Sequence, residues 1–172
     1  CERRKLEAFD FLWVVRRCTD TTAVPTATVT KAPQEDEFVL GHACERKDIT
    51  DLANGLNVKN KTTGLVRTVY QKLKMSNSGV ENKFYIVQGQ IKDLFKVHMQ
   101  CDIMMRKRVH EYIKTLEEDN YTVTFFAQDA ATQIVDFLRG IHQHVESQVA
   151  NKQPPDTYMT LKAMIERADW VT

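Results

Sequence analysis

The chain has 172 residues, a formal net charge of +1, 42% hydrophobic residues and 27% charged ones. Such a length fits one domain with room for the start of another, and the composition fits a packed core rather than a disordered or fibrous chain. No stretch approaches the roughly 18 apolar residues of a membrane helix, the charged start and short apolar run argue against a secretory signal, and near-neutral charge leaves nucleic-acid binding to charge distribution.

The first residue, Cys1, is not Met, which predicts an excised fragment. Phe9 to Arg16 reads as a strand, an apolar run that carries the charged Asp10. Thr19 to Asp36, Thr-rich with Pro25 and Pro33, reads as a long excursion. Phe38 to Glu45 reads as a second strand, joined to the first as a hairpin. Asp48 to Leu56 predicts a short helix with Leu52 and Leu56 one turn apart, broken by the polar Asn57 to Thr63. Gly64 to Met75 predicts a helix with Leu65, Val69 and Leu73 on one face, ended by Ser76-Asn77-Ser78-Gly79. Phe84 to Val87 is a continuous apolar run suited to a buried central strand.

Cys101 to Glu118 predicts a helix whose stripe is Met104, Met105, Val109, Tyr112, Ile113 and Leu116. Met99, Met104 and Met105 are read as core filler. Tyr121 to Phe126 predicts a strand, and Asp129 an N-cap for a helix over Ala130 to Val149. That helix carries Ile134, Val135, Phe137, Leu138, Ile141 and Val145. Asn151 to Asp156, with Pro154-Pro155, reads as a linker, and Tyr158 to Ala168 as a further helical piece. Strands alternating with helices predict an α/β fold with helices on both faces of a sheet.

Four cysteines, Cys1, Cys18, Cys44 and Cys101, form no CxxC pair. This argues against a zinc knuckle and predicts a reduced intracellular protein. Cys44 and His42, on the strand before Glu45, are read as core residues. Between Leu52 and Val80 stand five basic residues, Lys59, Lys61, Arg67, Lys72 and Lys74, and no acid. This is either a solvated basic face or a phosphate-contacting one.

The candidate chemistry centres on Glu45-Arg46-Lys47. Side chains alternate along a strand, so Glu45 and Lys47 are expected on one face. Asp51 follows in the first turn of a helix, and Asp10 lies on the preceding strand. Three carboxylates converging with a lysine would suit Mg²⁺ or Mn²⁺, hard cations that take oxygen ligands and activate water for attack on phosphate. Alone, a charged trio at a strand end is more often a solvated cluster.

Glu45-Arg46-Lys47-x-x-x-Asp51 resembles the nuclease signature of the XPF family of structure-selective endonucleases. Asp10 to Val14 resembles the family's Asp-bearing strand, and Phe38 to Lys47 its second strand. Gly64 to Arg67 with Lys72-Leu73-Lys74 resembles its basic helix, and Phe84 to Val87 its next strand. The similarity runs from about residue 3 to 168, and within the family it is greatest to a catalytic subunit of a crossover junction endonuclease that pairs with an Eme-type subunit. The resemblance implies a restriction-endonuclease-like mixed sheet flanked by helices, with residues 1–150 as the nuclease domain and its acidic first strand missing from this chain. Residues 151–172 would be a linker and the start of a helix leading to a helix-hairpin-helix module.

It further implies cleavage of branched DNA (3′ flaps, forks and nicked Holliday junctions) in the repair and recombination of nuclear DNA. Asp10, Glu45 and Asp51 would bind Mg²⁺ or Mn²⁺. Lys47 would position water, Arg46 would support the site, and Arg67, Lys72 and Lys74 would contact DNA. The last helices would face the partner subunit, with Ile134, Phe137 and Ile141 as interface candidates. Two other readings use the same residues: a pseudo-nuclease subunit that binds DNA and a partner without cutting, and a general nucleic-acid-binding domain with an incidental acidic cluster.

Overall fold

The computed structural model describes residues 9–16, 37–57, 66–94, 103–150 and 158–169. The expected excursion over Thr19 to Asp36, the polar break at Lys59 to Thr63, Gly64, Leu65, Met99, Cys1, Cys18, Cys101 and the Asn151 to Asp156 linker lie outside them. Among these residues four strands, β1 (Phe11–Arg16), β2 (Glu37–Asp48), β3 (Asn82–Gln88) and β4 (Tyr121–Phe126), form one sheet in the order β1-β2-β3-β4. β1 pairs antiparallel with β2, and β2, β3 and β4 run parallel. The sheet is therefore mixed, and five helices flank it among the described residues: α1 (Ile49–Gly55), α2 (Arg67–Asn77), α3 (Ile103–Glu118), α4 (Ala131–Ala150) and α5 (Leu161–Asp169). None is long and apolar enough to cross a membrane.

Alternation along the strands divides the molecule into two cores. Val39, Ala43, Tyr85 and Val87 face one side, where α1, α2, α3 and α5 bring Leu52, Met75, Val109, Leu116 and Met164. Cys44 and Ile86 face the other side, where α4 packs through Ile134 with Phe137 and Leu138 against Phe84 and Phe126. The expected helices on both faces are present, in unequal number. α5 shares the first core through Leu161, Met164 and Ala168, and Val39 N–H donates to the Met159 carbonyl just before it (2.9 Å).

β2 is the organising strand. Leu12 pairs with Ala43 but Val14 pairs with Val39, so one β1 residue opposes Leu40, Gly41 and His42. This bulge uses Gly41 at φ +72°, a left-handed conformation that only glycine takes readily. Beyond the bulge β2 outruns β1: Phe11 meets Cys44, while Glu45 to Asp48 pair only with Tyr85 to Gln88 of β3. Bulges and unpaired strand ends of this kind re-aim side chains beside functional sites.

Three expected helix faces differ in part from those found. In α2 the buried residues are Thr68 and Met75, while Leu73 is 38% exposed. The helix is rotated because its first turn covers a polar cleft instead of the apolar core. In α3, Val109, Tyr112, Ile113 and Leu116 are buried, but Met104 at the helix start is 52% exposed and is not core filler. α4 begins at Ala131, two residues past Asp129, and Val135 on its expected stripe is exposed. Asn120, at φ +61°, turns the chain from α3 into β4, a conformation asparagine tolerates better than most residues.

Candidate active site at the end of the second strand

The C-terminal ends of the parallel strands gather the candidate residues, the end where open α/β sheets bind ligands. Glu45 and Lys47 project to the same side of β2 as Ala43, as strand alternation requires. Glu45 is only 1% exposed. Its Oε1 accepts from Lys47 Nζ (2.7 Å) and from Gln71 Nε2 of α2 (2.5 Å). Its Oε2 is buried with no hydrogen-bond partner among the described residues. Leaving a buried carboxylate oxygen unmatched is costly. Burial, and then the negative charge of Asp10, push the Glu45 carboxyl up to about 7, against the opposing pull of Lys47 and Gln71.

Asp10 lies one residue before β1. Its Oδ2 accepts the Arg46 backbone N–H (2.8 Å), and its own N–H donates to the Cys44 carbonyl (3.1 Å). The carboxylate thus caps the edge of β2 where β1 has ended. A sheet edge with an unsatisfied N–H is converted into an anchor for an acidic side chain next to Glu45.

Arg46 points the opposite way. Its Nε donates to Gln88 Oε1 (2.9 Å), with a second bond from Nη2 to the same oxygen. Gln88 Nε2 donates to the Gln128 carbonyl, and Gln128 Nε2 to Asp48 Oδ2, at 2.5 Å each. Asp48 Oδ1 caps α1 by accepting Thr50 N–H (2.7 Å). Partial burial works against the Asp48 carboxylate, but the bonds from Gln128 and Thr50 outweigh it and hold the group below its ordinary value. One polar chain therefore fixes Arg46, the ends of β3 and β4, and the start of α1. Gly89, at φ +100°, makes the close turn that leaves room for it.

Asp51 sits in the first turn of α1, exposed. It lines a cavity of about 340 Å³ with Gly55, the α2 residues Arg67, Thr68 and Gln71, and Lys47. Among the described residues no three His, Cys, Asp or Glu side chains gather as a ready metal cluster. The donors present do fit a hard divalent cation: an orphaned buried carboxylate oxygen on Glu45, with the Asp10 carboxylate beside it.

The candidate DNA contacts separate. Arg67 is exposed on the cavity. Lys72 instead pairs with Asp119 (2.8 Å) and donates to the Thr115 carbonyl (2.9 Å), joining α2 to α3. Lys74 pairs with Asp169 of α5 (2.8 Å) and lies over the Tyr70 ring. Gln71 is a site residue that the sequence reading passes over. The signal available is the spacing Thr68, Gln71, Met75, a stripe at helical period with a polar residue in its middle.

His42 and Cys44 lie on the far side of β2. His42 is buried, its Nδ1 2.9 Å from the Leu40 carbonyl oxygen and its ring stacked near Phe84. It lines a second cavity, about 390 Å³, with Phe84, Phe137, Ile141 and His144. Cys44 is fully buried, and burial, then the charges of Glu45 and Asp10, push its thiol up to about 12.

Comparison with known proteins fits this geometry. No curated protein matches the chain. The sequence model of the ERCC4 domain matches residues 1–151, and the mixed α/β sheet agrees with the restriction-endonuclease-like fold of that domain. The chain belongs to the ERCC4 domain family, the XPF-type domains that are structure-specific DNA nucleases or pseudo-nucleases.

Proposed function

We propose that this chain is the nuclease domain of an active endonuclease that hydrolyses one strand of branched DNA, at 3′ flaps, forks and nicked Holliday junctions. Within the family the reading is a catalytic subunit of a crossover junction endonuclease, paired with an Eme-type subunit and working in the nucleus. One observation carries the activity: the buried, unmatched Oε2 of Glu45, set beside Asp10 and on the same strand face as Lys47. Such an arrangement is destabilising by itself, and a cation relieves it.

Asp10 and Glu45 would hold Mg²⁺ or Mn²⁺, with Asp51 of α1 the third carboxylate, set on the adjoining cavity. The metal supplies Lewis-acid polarisation of the phosphate and a more acidic water. Glu45 stays fixed through Gln71, so its free oxygen keeps one direction. Lys47, whose side chain is 21% exposed, offers N–H groups to an attacking water or to a phosphate oxygen as charge develops. Arg46 is held rigid by Gln88 and carries positive charge at the strand end. Arg67 is the phosphate contact best placed to act without breaking an internal ion pair, unlike Lys72 and Lys74.

The test uses the intact protein with its partner subunit, a 3′-flap duplex and Mg²⁺. Wild type is expected to nick the flap, and Asp10→Ala and Glu45→Ala each to lose at least about a hundredfold. Cleavage surviving both substitutions overturns the assignment. The pseudo-nuclease reading draws on the position of Asp51, apart from the other two carboxylates. Tight flap binding by wild type with no nicking in Mg²⁺ or Mn²⁺ would establish it.

The polar chain through Gln88 gives a separate prediction. Gln88→Leu keeps the volume and removes both the acceptor for Arg46 and the donor to the Gln128 carbonyl, groups on two exposed residues that water can reach. The urea midpoint is expected to change by less than about 1 kcal/mol equivalent. Cleavage is expected to fall about tenfold, because Arg46 is no longer pre-oriented. An unchanged turnover number would remove Arg46 orientation from the account.

A further inference from the structure

We propose that the first turn of α2 and the facing wall of α1 form a phosphate-binding subsite. It would take a backbone phosphate of a DNA strand laid along the Glu45 face, and so rests on the nuclease reading above. Thr68 carries the argument. It is 2% exposed, its Oγ1 is buried without a hydrogen-bond partner among the described residues, and it lines the cavity between α1 and α2. A buried hydroxyl with no partner is rare in a folded protein and marks a missing ligand, water or ion.

The surroundings select an anion. Thr68 is the second residue of an 11-residue helix whose N-cap, Val66, provides no side-chain acceptor for the first N–H groups. That end of a helix favours negative charge. Arg67 brings a cation and Asn54 an amide to the same cavity, against the carboxylate of Asp51, while the Lys47 ammonium beside them is balanced by Glu45. Gly55 matters too: a Cβ there would meet Thr68 Cγ2 at 2.7 Å, so the missing side chain lets α1 close on Thr68 while its methyl, not its hydroxyl, faces Gly55. The volume, about 340 Å³, exceeds that of a single water several-fold.

The test measures flap-DNA binding in EDTA by the full chain with its partner, so that cleavage plays no part. Single methylphosphonate linkages are scanned along each strand, with wild type, Thr68→Val, Thr68→Ser and Arg67→Ala. Thr68→Val keeps the shape, removes the unmatched hydroxyl and should leave the urea midpoint no lower. We expect Thr68→Val to bind native DNA about tenfold more weakly, and Thr68→Ser to bind like wild type. One linkage should weaken wild type about tenfold when neutralised and leave Thr68→Val untouched. Arg67→Ala should reduce the salt slope by about one.

Thr68→Val binding like wild type, or losses that add at every linkage, would overturn the subsite. Inorganic phosphate raising the Tm of wild type but not of Thr68→Val, with no coupled linkage, would overturn DNA as the source of the anion. If wild type binds as expected but cuts nothing, the subsite stands and the nuclease reading falls.

Discussion

Glu45→Gln is expected to abolish flap cleavage, by about a thousandfold or more, and at the same time to stabilise the metal-free protein above neutral pH. The two effects share a cause. Glu45 is buried, and its carboxyl is pushed up to about 7 from an ordinary 4.5, by burial first and by Asp10 second. Because the folded value lies above the unfolded one, the stabilising contribution is complete below about 4.5 and is lost as pH rises through about 7. At pH 8.5 the ionised carboxylate therefore destabilises the fold by about 3 kcal/mol, as an upper figure. Glutamine is neutral at every pH and can still accept from Gln71. The partly exposed Lys47 amine loses its partner but can turn to water, which trims the gain to roughly 1–3 kcal/mol.

Urea melts in EDTA at pH 5 and pH 8.5 make the comparison. The variant should match wild type at the lower pH and exceed it at the higher. A variant less stable than wild type at pH 8.5 would mean that Glu45 is matched by a partner and needs no cation. Adding Mg²⁺ should reverse the order, raising the wild-type Tm and leaving the variant where it was.

Gly89→Ala carries the second large effect, on the fold. At φ +100° an L side chain is strained, and a Cβ there would lie 2.5 Å from Ile49 Cγ2 and 2.6 Å from Gln128 Oε1. Ile49 is a buried, β-branched residue in the first turn of α1, so it cannot step aside. Gln128 holds Asp48, the cap of that helix. We expect a loss of about 2–4 kcal/mol in urea melts, from strain and displacement together. Gly140→Ala is the control. It lies in α4 with nothing within 4 Å of a new Cβ, and should raise stability by roughly 0.5–1 kcal/mol. A Gly89→Ala loss no greater than the scatter between these two would contradict the close packing of α1 on the β3 turn.

The strands were legible because their signals are local. Phe84 to Val87 is a continuous apolar run and became the middle of β3, buried from Tyr85 onward. Tyr121 to Phe126 became β4 with the expected limits. The shared face of Glu45 and Lys47 follows from alternation alone, which no packing detail can undo. The α2 face was not legible. Leu65, Val69 and Leu73 form a credible apolar stripe, yet Leu73 is exposed, and the buried side carries Thr68, Gln71 and Met75. A helix that covers a polar site breaks the equation of apolar with buried, and Gln71 was missed for that reason. The basic residues were likewise misleading as a group. Lys72 and Lys74 look like Arg67 in sequence, but the helix turn sends them to Asp119 and Asp169. The bulge at Gly41 was invisible as well, since it depends on the register with β1.

Cys44 bears on which cation the proposed site would take. One residue from Glu45, its sulfur faces the opposite side of the sheet, packed with Ile86 and Ile134. Its thiol also stays protonated at any physiological pH, since burial pushes it up to about 12. Zinc and other softer ions gain most of their advantage from thiolate and imidazole donors. Here the neighbouring thiol is turned away, and His42 shares its side of the strand. The other anionic group beside Glu45 is the Asp10 carboxylate, an oxygen donor. A strand that alternates acid and thiol thus excludes soft cations by direction alone, without any group devoted to rejecting them.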